Sequence, residues 1–464
     1  MRKRKLQHLF WSMLVLMALM FTTIPQAWAY DETVISAATV EQAFESVNAQ
    51  SSILFDREHQ LIPNKFDRVT DLKVTTNNTE RSITATGKLD GALFLLKIPF
   101  NWNHQVVLYA HGYANPGTQD FNAPWAVGDN IKAVLNTAFG QGFAYGYSAY
   151  SKDGYAVENG VKNTQSLKKL VDRIGNHRAY IIGDSMGGNV VMALIEKYED
   201  DYVGALPFCG VVSGWYEQVR YLADFRMVYD FYTLNTPFQL KAFDGTLGDP
   251  RKPVLPQEAV TQVATLFGAA AYPDPSVYIP AQYIIQQVSV AAGITPEPVS
   301  FITALMGATT GFADLIQTAG GIGYSNTKAT YAGGPNLFGV PINSGIYQLA
   351  VDNPKAVTYL NNWYTPKGDF EAKVLSVHNT VDPLVPYSHE LTLKAKVQAQ
   401  HNSSRFVVQN VDPGAFSFNP YVDPNTWSPK HCDFKPSQMV FAWNELKNWV
   451  EKGVKPKEMN ITTK

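Results

Sequence analysis

Cysteine is scarce in this chain: only Cys209 and Cys432 occur among 464 residues, so one disulfide is the most it can form. Charge is also sparse, at 17% Asp, Glu, Lys and Arg, and the one basic run is Arg2-Lys3-Arg4-Lys5 at the extreme N-terminus. Nothing in that pattern points to nucleic acid or an anionic membrane as partner. The scattered Asp and His residues show no metal-ligand spacing such as H-E-x-x-H, and Gly320, Gly321 and Gly323 do not make a phosphate loop. No metal and no cofactor are therefore expected. Internal repeats and low-complexity tracts are absent as well. The one long apolar run, Leu9 to Phe21, holds thirteen residues, whereas a bilayer span needs about 20. With the basic residues before it and Ala27-Trp28-Ala29 after it, the run reads as a cleavable export leader over residues 1–29. The expected mature chain starts at Tyr30, is secreted or periplasmic, and keeps no stable membrane insertion. Loss of the four basic residues moves the formal net charge from -2 to -6. In an oxidising compartment the two cysteines are expected to pair.

The most informative segment is Gly183-Asp184-Ser185-Met186-Gly187-Gly188. A short apolar run of strand character, Arg178 to Ile182, precedes it, and Asn189 to Ile195 follows with helical character. A G-x-S-x-G between strand and helix is the nucleophile-elbow signature of serine hydrolases. Its glycines allow a turn too tight for side chains. The first N–H groups of the helix then face any oxyanion formed at Ser185.

Strand-like segments Ser82–Thr86, Ala92–Pro99, Val106–Ala110 and Phe143–Tyr150 alternate with helical ones over Asn130–Ala138 and Val157–Ile174. Past the elbow comes the apolar stretch Tyr202–Val212. This rhythm predicts a doubly wound, mostly parallel α/β sheet. It breaks between residues 214 and 369, where helical pieces over Glu217–Tyr232, Gln257–Ala271 and Val299–Ala319 mix with Gly, Pro, Thr and Tyr. It resumes with a strand at Ala372–His378, a helix at Glu390–Gln400, a strand at Arg405–Gln409 and a helix at Ser437–Lys452. Residues 30–213 and 370–464 are thus expected to form a core, with 214–369 inserted as a cap over the active site.

Residues 80–213 and 370–452 resemble the α/β-hydrolase superfamily, in which nucleophile, acid and base follow in the order Ser, Asp or Glu, His. The resemblance implies the α/β-hydrolase fold, with Ser185 as nucleophile and Asp382 as acid, three residues before Val385-Pro386. The base should follow the last strand, which selects His431 over His401, His389 and His378. His111-Gly112-Tyr113 is similar to the family's oxyanion loop, so the backbone N–H groups of Tyr113 and Met186 are the expected donors. A Tyr and a Met at these places also resemble secreted polyester-cleaving enzymes. His111 itself is expected to hold the loop. Cys209 ends the strand after the elbow helix and Cys432 adjoins His431, so their disulfide would tether the base.

These readings lead to a secreted serine hydrolase of the esterase or lipase kind, feruloyl-esterase-like or polyesterase-like. Its expected partner is a small or polymeric ester with an apolar or aromatic group. Cap residues such as Phe301 and Leu315 are expected to tune preference among esters. A serine peptidase on the same fold and a non-catalytic binding protein remain as alternatives. The hydrolases named for a G-D-S-L block do not fit, because their serine lies near the mature N-terminus.

Overall fold

The computed structural model describes residues 68–242, 244–412 and 430–464. The leader expected over 1–29, and most of the loop between Asp412 and Lys430, lie outside the described residues. Ten strands form one sheet in the order β1-β2-β3-β5-β4-β6-β7-β8-β9-β10. The first three, β1 (Val69–Asn77), β2 (Ser82–Leu89) and β3 (Ala92–Pro99), pair antiparallel, and β3 meets β5 (Ala144–Ser148) antiparallel. From β5 onward every pairing is parallel, through β4 (Gln105–Ala110), β6 (Arg178–Asp184), β7 (Gly204–Phe208), β8 (Lys373–Asn379), β9 (Phe406–Val411) and β10 (Met459–Asn460). This is the doubly wound, mostly parallel sheet that the alternation predicts.

Strand β4 shows why both faces are covered. Its side chains alternate, as strand geometry requires: Val106, Leu108 and Ala110 enter one apolar cluster, Val107 and Tyr109 the other. Helices α1 (Asp129–Gly140) and α12 (Pro436–Lys452) pack on the second face, burying Ile131, Leu135, Trp443 and Leu446. Helices α2 (Val157–Arg173) and α3 (Met186–Lys197) cover the first, with Val161, Leu167, Val190 and Leu194. The chain runs from β4 outward to β5 and then back past β4 to β6, so the strand order reverses at β4. In parallel sheets the loops at the strands' C-terminal ends around such a reversal form a crevice.

Between β7 and β8 the chain leaves the sheet for a helical excursion. It contains α4 (Trp215–Thr233), α5 (Pro256–Ala270), α6 (Pro275–Ala292), α7 (Pro298–Met306), α8 (Phe312–Ala319), α9 (Ile342–Gly345) and α10 (Pro354–Asn362). A π-helical turn, Gly307–Gly311, joins α7 to α8 where the sequence predicts one uninterrupted helix. Helix α6 was not expected at all. Asp274 caps its start by accepting from the Ser276 N–H, and Gly293 closes it in the left-handed conformation. The excursion has a core of its own, in which Phe301 meets Phe225 and Phe267 edge to face at 5.6 and 5.3 Å. After β8 the chain continues through α11 (Ser388–Ala399) to β9.

Candidate active site

At the end of β6 the backbone turns sharply into α3. Ser185 stands at the turn with φ 55° and ψ -123°, a conformation that L-residues adopt only under constraint. The constraint is visible on both sides. A Cβ on Gly183 would lie 2.6 Å from the Gly187 carbonyl oxygen, and one on Gly187 would overlap the carbonyl of Ala110. Ser185 is held in place by its N–H, which donates to Phe208 O at 3.0 Å, and by its carbonyl, which accepts from Val211 N at 3.2 Å. The loop after β4 passes so close that a Cβ on Gly112 would be 3.3 Å from that of Ser185.

Chain segments far apart in sequence bring the other expected residues here. The Ser185 hydroxyl donates to His431 Nε2 at 2.8 Å. His431 Nδ1 donates to Asp382, at 2.8 Å to Oδ2 and 3.0 Å to Oδ1. Asp382 Oδ1 also accepts from the N–H groups of Leu384 and Val385, each at 2.9 Å. Burial works to raise the carboxyl of Asp382. The charge and hydrogen bond of His431, the charge of His378 and the Val385 amide outweigh it and hold the group below its usual range. His401 instead lies just past the end of α11, exposed and with φ 56°. His389 is buried against the Ser213 hydroxyl, and His378 against Glu390.

Cys209 and Cys432 form a disulfide, with Cα atoms 5.3 Å apart. Cys209 follows β7 directly and Cys432 adjoins His431, so the bridge ties the histidine's loop to the sheet. Cys209, His431 and Cys432 are the one grouping of potential metal ligands among the described residues, and both sulfurs are committed to that bridge.

Tyr113 and Met186 line a cavity of about 370 Å³ together with Ser185. The opposite wall comes from the excursion: Trp215 and Leu222 of α4, Ile302 of α7, and Phe312 and Leu315 of α8 are all apolar. Gly307 and Gly311 of the π-helical turn also face it. There the excursion touches the loop that follows Asp382 so closely that a Cβ on Gly307 would lie 2.6 Å from Leu384 Cδ1. Helix α4 grips the same loop, since Gln218 Nε2 donates to Leu384 O at 2.8 Å and the Tyr221 hydroxyl to Pro383 O at 2.7 Å. Phe301 does not reach the cavity wall. It is wholly buried in the core of the excursion, which corrects the expectation that it tunes substrate preference.

His111 lies under the loop after β4, its ring stacked between Trp125 and Tyr150 at centroid distances of 3.6 and 3.7 Å. Burial drives its pKa down to about 3, so the ring is neutral and Nδ1–H donates to Gly112 O at 2.8 Å. Two further groups went unnoticed in the sequence. Asp184, beside Ser185, accepts from the Tyr109 hydroxyl at 2.8 Å, and burial raises its carboxyl despite that bond and the nearby charge of His431. Asp314 of α8 accepts from the Tyr113 hydroxyl at 3.1 Å and from the Tyr155 N–H at 2.5 Å. Asp184 occupies a variable position of G-x-S-x-G and Asp314 lies in no motif, so no local signal marked their contacts.

The chain matches no protein-family model and no curated protein. Among solved structures it is similar to an esterase from Aspergillus oryzae, with 13% identity, a TM-score of 0.46, and coverage of 85% of this chain and 89% of that one. It is also similar to tannin acyl hydrolase from Aspergillus niger, with 14% identity, a TM-score of 0.41, and 84% of each chain covered. A third similar structure is the rice cell wall degrading esterase from Xanthomonas oryzae, with 13% identity, a TM-score of 0.40, and 82% and 98% covered. The parallel sheet reversing at β4, the strand–turn–helix at Ser185 and the helical excursion after β7 are organised as the α/β-hydrolase fold, and this chain has that fold.

Proposed function

We propose that the protein is an exported serine hydrolase of carboxylic esters, acting through Ser185, His431 and Asp382. The observation that carries this reading is the continuous hydrogen-bond line from Ser185 Oγ through both nitrogens of His431 to Asp382. His431 Nε2 takes the hydroxyl proton as Oγ attacks the ester carbonyl, and Asp382 stabilises the imidazolium and fixes its tautomer. The oxyanion forms against the backbone N–H groups of Tyr113 and Met186, each donor of this kind being worth about 100- to 1,000-fold in rate. His431 then returns the proton to the departing alcohol, leaving an acyl-enzyme on Ser185. Water, deprotonated by the same nitrogen, releases the acid.

Residues 214–369 serve as the cap. The apolar lining they give the cavity suits an ester with an apolar or aromatic group. The test is hydrolysis of p-nitrophenyl esters against an aminoacyl-nitroanilide, with fluorophosphonate labelling of the wild-type enzyme. Ser185→Ala and His431→Ala should lose several powers of ten in turnover. His401→Ala should stay near wild type. A folded Ser185→Ala protein with a tenth of wild-type turnover would refute the assignment, and preference for the anilide would make the protein a peptidase.

A further inference from the structure

Two buried ionisable groups near Asp382 are not used by the mechanism above. His378 of β8 is 0% exposed and Glu390 of α11 is 1% exposed. A buried ion pair is seldom more stabilising than an apolar pair of the same volume, so this one calls for a reason beyond stability. Glu390 Oε1 accepts from the Ser376 hydroxyl at 2.6 Å and from His378 Nδ1 at 3.1 Å. The other ring nitrogen, Nε2, donates to the carbonyl of Val385 at 2.8 Å. Both nitrogens of His378 therefore face oxygen atoms, and beside an ionised Glu390 only the doubly protonated ring donates to both. Val385 is also one of the two residues whose N–H groups hold Asp382.

We propose that His378 and Glu390 are a positioning pair for the acid: the imidazolium anchors the carbonyl of Val385, the residue whose N–H grips Asp382, and its positive charge keeps that carboxylate ionised. The proposal rests on the catalytic reading of Asp382. Other ionisable groups around His378 agree with it. Burial works against the charged ring, but the hydrogen bond and charge of Glu390, with the charge of Asp382, raise its pKa above the ordinary histidine value. His389, next to Glu390 on α11, is pushed down to about 3 by burial and by the charge of His378, and is neutral. Tyr387 presents its ring edge-on at 6.0 Å.

The experiment compares wild type with His378→Gln, Glu390→Gln and the double variant, using thermal melts as the control for folding. The double variant leaves no unpaired charge, and Glu390→Gln leaves the ring in place, so each reads the proposal separately. Turnover should fall by about 10- to 100-fold, the scale of an ångström-sized misplacement, with KM unchanged. Without the nearby positive charge Asp382 becomes easier to protonate, so activity should be lost at a higher pH on acidification. The Asp382 carboxyl, followed by ¹³C NMR, should titrate higher in the variants than in wild type. Folded variants with wild-type turnover and an unmoved Asp382 titration would overturn the proposal. Failure of the hydrolase reading looks different: wild type would be inert to every ester and unlabelled by the fluorophosphonate, while the carboxyl titration would still report on the pair.

Discussion

The hydroxyl of Tyr113 donates to Asp314 Oδ2 at 3.1 Å across 201 residues of sequence, joining the loop after β4 to helix α8. The same carboxylate receives the Tyr155 N–H and lies 3.9 Å from Lys152 Nζ. Gly154 has φ 67°, and a Cβ there would run into the Asp314 carboxylate. Helix α8 of the excursion thus bears on the residue whose backbone N–H is proposed to bind the oxyanion.

Asp314→Ala is therefore expected to lower kcat by about 10- to 100-fold on short and long esters alike, because it frees Tyr113 to shift. Tyr113→Phe, which removes only the hydroxyl, should fall in between. Steady-state kinetics on an ester series checks this. A change confined to chain-length preference would show that Asp314 shapes the pocket and nothing more.

Leu315 and Phe301 should separate cleanly. Leu315 is on the cavity wall, so Leu315→Ala should alter preference among esters by at most roughly 10- to 200-fold. Phe301 is buried in the excursion, so Phe301→Ala should cost about 3–5 kcal/mol of stability instead. Denaturant unfolding and a substrate panel on both variants decide the matter.

The disulfide should act on stability and on catalysis together. It closes 223 residues, and the loop-entropy account puts an upper figure of roughly 5 kcal/mol on that constraint. Cys209→Ser with Cys432→Ser should lower both Tm and kcat, since the His431 loop loses its tether. Non-reduced peptide mapping by mass spectrometry should find the bridge in wild-type protein. Two alkylatable thiols would rule it out.

Acid should destabilise the fold through buried neutral histidines. His111 and His389 are each lowered from 6.5 to about 3 in the folded protein. Between those values the unfolded chain holds protons that the native one lacks, so stability present above 6.5 is lost as pH falls toward 3. Each group contributes about 1.4 kcal/mol per pH unit within that window. His378, raised by its partner, acts in the opposite sense, its contribution being lost as pH rises through its folded value. Calorimetry between pH 7 and 4 should show Tm falling, and His389→Asn should flatten the slope. An unchanged slope in that variant would remove His389 from the account.

What could be read from sequence was local. The turn at Ser185, strand β3 and helix α2 depend on glycine sterics and on apolar periods of two and 3.6 residues, which neighbours in the chain settle among themselves. Strand β1 escaped because it is an edge strand whose side chains are mostly exposed or half-buried, with little apolar alternation to betray it. Helix α6 escaped because Pro280 and its β-branched residues argue against a helix, and only packing in the excursion and a capped start outweigh them.

The sequence by itself determined that a serine would sit at a strained strand–helix turn, and chain order pointed to Asp382 and His431. Only the tertiary structure decided which groups meet. Parallel strands bring the ends of β4, β6, β7 and β8 to one edge, and the disulfide brings His431 to Ser185 across 246 residues. His378 and Glu390 are 12 residues apart, on a strand and a helix, and face each other because α11 packs back toward β8. Asp314 reaches Tyr113 because apolar burial folds the excursion onto the sheet. Elements follow from short-range sterics and hydrogen bonds. Contacts between elements follow from burial summed over the whole chain, and no short window of sequence contains that sum.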